Sequence, residues 1–170
     1  MPDDLQLYEL ATRVGRRLLA SKRRLVTAES CTGGWVAKAI TDVPDSSHWF
    51  ECGFVTYSNA AKMRELGVSK DTLDAHGAVS EATVLEMARG ALRVSGADVA
   101  VSVSGIAGPG GGVPGKPVGT VWFAIGSRRG DEFTLKASCQ LFERDREAVR
   151  RRAVECALEL ILQLGLPHSG

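Results

Sequence analysis

Apolar side chains recur along this chain at steps of three and four in some stretches and in strict alternation in others. Leu7, Leu10, Val14 and Leu18 form one face of a first helix, which Asp3 or Asp4 can cap. A β-prone run over 25–28 leads into Ser30-Cys31-Thr32-Gly33-Gly34. Trp35, Val36, Ala37 and Ile40 then resume helical spacing to about Thr41, before Val43-Pro44-Asp45 stops the helix. A strand is predicted over 50–57. A short helix over 60–66 follows, with Ser58 or Asn59 as its N-cap and Gly67 as its end. Another helical turn is expected over 69–75. Ser80 caps a longer helix through Val84, Ala88, Ala91 and Leu92, ending near Ser95-Gly96.

The second half reads as strands and one helix. Over 98–104, Val99, Val101 and Val103 alternate with Ala100, Ser102 and Ser104. Both faces are small or apolar, which predicts a buried central strand. A glycine-rich loop over 105–116 precedes a strong strand over 118–126 and a hairpin turn over 127–131. Phe133, Leu135, Ala137, Cys139 and Leu141 alternate with polar residues, as in a half-exposed antiparallel edge strand. A last helix over 144–164 buries Val149, Ala153, Cys156, Leu160 and Leu164, and Gly165 and Pro167 end it. The expected fold is one α/β domain over 1–170, with its core at about 5–164. It is a three-layer α/β/α arrangement around a mixed, mostly parallel sheet with an antiparallel hairpin edge.

Composition adds exclusions. The 170 residues suffice for one core, and 44% hydrophobic with 24% charged residues is ordinary for a soluble globular chain. No apolar run approaches a membrane span, and the acidic start carries no signal core, so a cytoplasmic protein without membrane contact is expected. The cysteines at 31, 52, 139 and 156 make no metal or disulfide pattern. A net charge of +1 argues against nucleic acid as the partner. The arginines near 13–24 and 144–152 read as solvated helix faces, with Glu147 and Arg151 as an i,i+4 pair. Trp49 and Phe50 read as exposed apolar residues that mark an interface, and a homo-oligomer is expected.

The candidate chemistry centres on Ser30. Its hydroxyl would stand where the first strand ends. The backbone N–H groups of Thr32, Gly33 and Gly34 would face the same space at a helix N-terminus. A nucleophile beside anion donors is what acyl transfer needs; the alternative is a plain turn in which Ser30 or Thr32 is an N-cap. No Gly-x-Ser-x-Gly elbow is present, and His48, His76 and His168 form no pair that makes a general base. A serine without histidine needs another base, and an uncharged lysine is the usual substitute. Lys62, at the start of the short helix, suits that role because both the helix dipole and burial disfavour its charge. Tyr57, at the end of the preceding strand, is placed to relay a proton or to hold the lysine. Residues 110–116 imitate a P-loop and 110–115 a dinucleotide fingerprint. Both fail, since Pro117 and a strand follow where a hydroxyl and a helix are required. What remains is a glycine loop able to let a ligand approach the backbone, or a plain surface connection. Arg144, Arg146 and Arg150 are candidate phosphate partners, and Arg146 at a helix start opposes the dipole unless an anion binds there.

Several stretches taken together resemble one family. Thr27 to Gly34, Gly53-Phe54-Val55-Thr56-Tyr57-Ser58-Asn59 with Lys62, His76 to Ser80, Gly105 to Gly112, Lys116 to Val121 and Asp145-Arg146 follow the order found in the CinA C-terminal domain family. Its enzymatic members are nicotinamide-nucleotide amidases. The resemblance implies hydrolysis of nicotinamide mononucleotide to nicotinate mononucleotide and ammonia, without metal or cofactor. It implies Ser30 as nucleophile, Lys62 as base and Tyr57 as an assisting hydroxyl. Thr32, Gly33, Gly34, Ser104, Gly105, Gly108, Gly110 and Gly111 would line a site for a small-molecule nucleotide, with Arg146 on its phosphate. Two residues depart from the pattern: Ser104 replaces threonine, and Arg144 replaces the glycine before Asp145-Arg146. A non-catalytic nucleotide- or protein-binding module is the alternative.

Overall fold

A computed structural model describes residues 1–166; Pro167 and His168, considered above, lie outside them. The elements in chain order are α1 (Asp4–Ala20), β1 (Leu25–Glu29), α2 (Trp35–Thr41), β2 (Phe50–Val55), α3 (Asn59–Leu66), α4 (Lys70–His76), α5 (Glu81–Ser95), β3 (Val99–Gly105), β4 (Thr120–Arg129), β5 (Glu132–Leu141) and α6 (Arg146–Gln163). One 3-10 turn, Ser46–His48, precedes β2. The five strands form one sheet in the order β2-β1-β3-β4-β5. β1 runs parallel to both β2 and β3, while β4 and β5 add an antiparallel hairpin beside β3. No helix among the described residues is long and apolar enough to cross a membrane.

The period of two along the strands divides the core between two faces. Leu25, Val99, Val101, Val103, Val121, Phe123 and Ile125 pack under α1, α2 and α6. Val26, Ala28, Ala100 and Ala124 pack under α3, α4 and α5. The second face is built from small side chains, so its helices lie close. An ideal Cβ on Gly90 of α5 would stand 1.9 Å from the carbonyl oxygen of Leu66 in α3. This alternation also decides which layer Ser30 meets. It follows Val26 and Ala28 by steps of two, and so turns toward α3 and α5.

The capping chemistry matches the side chains available. Asp3 accepts from Gln6 N in a capping box, and Ser58, Ser69, Ser80 and Asp145 each accept from a backbone N–H one turn on. Several sequence expectations are corrected. The hairpin is tighter than predicted: Ser127, Arg128 and Arg129 continue β4, paired with Thr134, Phe133 and Glu132. The strand over 50–57 ends at Val55. α6 buries Ala148, Val149, Ala153, Val154, Ala157, Leu158 and Ile161, while Cys156, Leu160 and Leu164 are only partly covered. It lies against both the sheet and α1, so its buried stripe is broader than one seam. Trp49 is not an exposed interface residue. It is 1% exposed, and its indole fills the space that a side chain at Gly15 of α1 would need. Phe50 is half-buried against the same cluster.

Candidate active site

The site is built at the end of β1, where the chain leaves the sheet. Ser30 N donates to Val103 O at 3.0 Å, which ties the start of the turn to β3. Gly33 N then donates to Ser30 O at 3.0 Å and closes the turn. Gly33 and Gly34 have φ of 62° and 94°, a region that L side chains disfavour, and this is why two glycines end the turn. Neither Ser30 nor Thr32 caps α2. Gly34 occupies the N-cap position without a side-chain bond. The capping acceptor is Glu29, one residue before the turn. Its buried carboxylate accepts from Thr32 Oγ1 at 2.7 Å, Val36 N at 2.9 Å and Ala37 N at 3.0 Å. A carboxylate there is favoured by the helix dipole.

Lys62 is brought to Ser30 by α3. Ser58 caps that helix, and Lys62 N donates to Ser58 O, so the lysine closes the first turn. Its side chain crosses under the end of β2 and is only 1% exposed. Nζ lies 3.0 Å from Ser30 Oγ, 2.7 Å from Thr56 O and 3.2 Å from Tyr57 O. No carboxylate pairs with it among the described residues. Burial without a counter-charge pushes its pKa down to about 8. A neutral amine has two N–H bonds and one lone pair. Two carbonyls and one hydroxyl around Nζ match that set, with the lone pair left for the Ser30 proton. Cys31, beside Ser30, is the opposite case: burial pushes its thiol up to about 11, so it stays protonated.

A cleft of about 210 Å³ opens on this pair. Ser30, Cys31, Tyr57, Lys62, Ala78, Val79, Ser104, Gly105, Ala107 and Arg146 line it. Of the residues singled out from sequence, Ser30, Tyr57, Lys62, Ser104, Gly105 and Arg146 therefore meet at one place. The Tyr57 hydroxyl accepts from Arg146 Nη2 at 3.1 Å, and the Tyr57 carbonyl, rather than its phenol, holds Lys62. Arg146 Nη1 donates to Gly108 O at 2.9 Å, so the start of α6 clasps the glycine loop. Ser104 Oγ donates to Ala78 O at 2.8 Å and fixes the opposite wall.

Other expected residues lie elsewhere. Thr32 is fully buried and turned to Glu29, and Gly33 and Gly34 face Arg150 and Val55. Among the three, the Gly33 N–H is spent within the turn. Gly108 reaches the cleft only through its carbonyl and Arg146, while Gly110 and Gly111 stand on the exposed loop beyond it. That loop is strapped down at its far end, where Lys116 Nζ donates to His76 O at 2.6 Å. Arg144 is exposed and does not approach the cleft. Its φ of 109° is one that glycine adopts freely, which explains why a glycine is the expected residue there. Arg150 is not a free phosphate partner either, since Nε and Nη2 donate to Cys31 O and Thr32 O, each at 3.0 Å. Several of the other arginines are met by acids: Arg23 by Asp98, Arg24 by Glu51, Arg151 by Asp4 and Glu147, and Arg152 by Glu155.

Sequence reasoning gave no role to Glu29, Cys31 or the Ala78–Val79 wall, and read Arg150 as a phosphate partner rather than as a clasp on the Ser30 turn. Glu29 carried one usable signal, a lone carboxylate at the end of an otherwise apolar strand. Arg150 carried none, because 118 residues separate it from Thr32. No cluster of metal-ligating side chains occurs among the described residues.

Comparison with known proteins places this geometry in context. A family model described as the CinA C-terminal domain matches residues 7–164. The nicotinamide-nucleotide amidohydrolase PncC of Escherichia coli (strain K12) is 56% identical over 166 residues, covering 98% of this chain and 99% of that protein. The protein of the same name from Pseudomonas putida is 54% identical over 156 residues, covering 92% and 95%. Among solved structures, a competence-damaged protein (CinA) superfamily protein from Escherichia coli superposes with a TM-score of 0.88 at 40% identity. That match covers 96% of this chain and 92% of the other.

Proposed function

The chain belongs to the CinA C-terminal domain family, and on that premise we propose that it is a nicotinamide-nucleotide amidase working through Ser30 and Lys62. The reaction takes nicotinamide mononucleotide and water to nicotinate mononucleotide and ammonia. The names of the full-length bacterial relatives support the activity. The observation that carries the mechanism is the 3.0 Å approach of a buried, acid-free Lys62 Nζ to Ser30 Oγ.

In this reading the neutral Lys62 amine takes the Ser30 proton as Oγ adds to the carboxamide carbon. The carbonyl oxygen gains the negative charge. Its candidate donors are the N–H groups of Cys31, which lines the cleft, and of Thr32, whose side chain is turned away to Glu29; neither donates to a backbone carbonyl in the turn. Of the expected donors the Gly33 N–H is already bonded to Ser30 O, and Cys31 stands in its place. When the C–N bond breaks, Lys62 returns the proton to the departing ammonia, and a nicotinoyl ester remains on Ser30. Water then attacks the ester, Lys62 again accepts a proton, and Ser30 regains its own as the carboxylate leaves. Arg146, at the mouth of the cleft and without a carboxylate partner among the described residues, is the group for the nucleotide phosphate.

The test is ammonia release from nicotinamide mononucleotide by the pure protein and by Ser30→Ala. The parent should turn over with or without a chelator, and the variant should lose activity by several orders of magnitude while staying folded. Full activity in Ser30→Ala refutes the nucleophile. Ligand-dependent stabilisation with no product from the parent would favour a binding module instead.

A further inference from the structure

The Ser30 turn is gripped from outside the cleft by a residue of α6. Arg150 donates Nε to Cys31 O and Nη2 to Thr32 O, both at 3.0 Å. Its guanidinium also stacks 5.4 Å from the centre of the Trp35 ring, at the start of α2. It is half-buried, has no carboxylate partner among the described residues, and does not line the cleft. Two of its five donors go to two consecutive carbonyls of one tight turn, a pairing that the planar fork suits and a lysine cannot reproduce.

The consequence follows from peptide geometry. In a trans peptide the C=O and N–H point in opposite directions. The Cys31–Thr32 peptide turns its oxygen to Arg150, so its Thr32 N–H faces away from α6. The Ser30–Cys31 peptide turns its oxygen to Gly33 N, so its Cys31 N–H is likewise turned outward from the turn. Glu29 anchors the other side of the same turn through Thr32 Oγ1. Left alone, a turn ending in two positive-φ glycines has other conformations open to it, and flipping the Cys31–Thr32 peptide would reverse that donor.

We propose that Arg150 is a positioning residue, holding the Ser30 turn in the one orientation in which backbone N–H groups meet the oxyanion. The proposal rests on Ser30 as nucleophile. It predicts a defect confined to the chemical step, because ground-state binding of the nucleotide does not use these donors.

The experiment is steady-state kinetics on Arg150→Met and Arg150→Lys beside the parent and Ser30→Ala, with pH profiles and product affinity. Arg150→Met should lower kcat on the order of 10²-fold, the scale expected of misplaced catalytic groups. KM, affinity for nicotinate mononucleotide and the pH midpoint should stay within about twofold. Arg150→Lys, with one compact donor head, should recover part of kcat. Unchanged kcat in both variants overturns the proposal, as does a loss that appears in KM and product affinity, which would make Arg150 a ligand contact. If Arg150→Met unfolds, Arg150→Lys decides by the same criteria. If Ser30→Ala keeps its activity, the nucleophile itself is wrong, and that result is distinct from Ser30→Ala dead with Arg150 variants normal.

Discussion

Lys62 Nζ and Ser30 Oγ stand 3.0 Å apart although 32 residues separate them in the chain. Two elements meet to make this contact. β1 ends with its period-two alternation turned toward α3, and Ser58 starts α3 so that Lys62 closes its first turn. The lysine then has two backbone carbonyls and one hydroxyl as its hydrogen-bond partners among the described residues.

Activity should therefore depend on pH through the Lys62 amine. With its pKa held near 8 by burial, kcat/KM should climb about tenfold per pH unit below that value and level off above it. Lys62→Met should remove activity at every pH. A profile flat from pH 6 to 9 would show that Lys62 is not the base.

Stability should carry the same signature. The folded chain releases the Lys62 proton near pH 8, and the unfolded chain near 10.5. Between those values the unfolded state binds more protons, so stability rises with pH across that window. Below pH 8 the folded chain carries the full cost of the buried charge. The gain is on the order of 3 kcal/mol from pH 8 to 10.5. Comparing denaturant unfolding of the parent and Lys62→Met at each pH isolates it, since only the parent should show this component.

Arg146→Gln should act on binding. Removing the cation at the cleft mouth also frees the Gly108 carbonyl and the Tyr57 hydroxyl. KM for nicotinamide mononucleotide should rise about 10- to 100-fold, a loss of roughly 1.5–3 kcal/mol for a charged hydrogen bond. Nicotinamide riboside, which has no phosphate, should lose little. Equal losses for both substrates would place the phosphate elsewhere.

Arg144→Gly should stabilise the protein. Arg144 holds a φ of 109° immediately before the Asp145 cap of α6. Relief of that backbone strain is worth about 1 kcal/mol, and Tm should rise by roughly 2–4 °C. Activity should be unchanged, because this side chain is exposed away from the cleft. A lowered Tm would mean that the arginine side chain makes a compensating contact.

Gly90→Ala should destabilise by about 2 kcal/mol or more through overpacking. Its added Cβ would stand 1.9 Å from Leu66 O, backbone at the very end of the helix that carries Lys62. Thermal unfolding gives the size of the effect. A loss of activity beyond the change in folded fraction would show that moving α3 disturbs the base.

What this sequence determined by itself was local. The spacing of Leu7, Val14 and Leu18, the alternation along β3 and β5, the serine caps and the glycines after α3 and α5 each follow from short-range sterics and hydrogen bonding, and each is legible in a few residues. The succession of motifs named the family and, with it, Ser30, Tyr57 and Lys62 as candidates. Tertiary structure decided what those side chains do. It buried Trp49 against Gly15, sent Arg150 to the Cys31 and Thr32 carbonyls while leaving Arg146 at the cleft, and turned the glycines at 33 and 34 away from the cleft. These outcomes depend on which face of an element meets which distant neighbour, 38 residues away for Arg146 and Gly108 and 119 for Arg150 and Cys31. The charge state of Lys62 belongs with them, because desolvation is a property of everything packed around an amine and not of the amine's place in the chain.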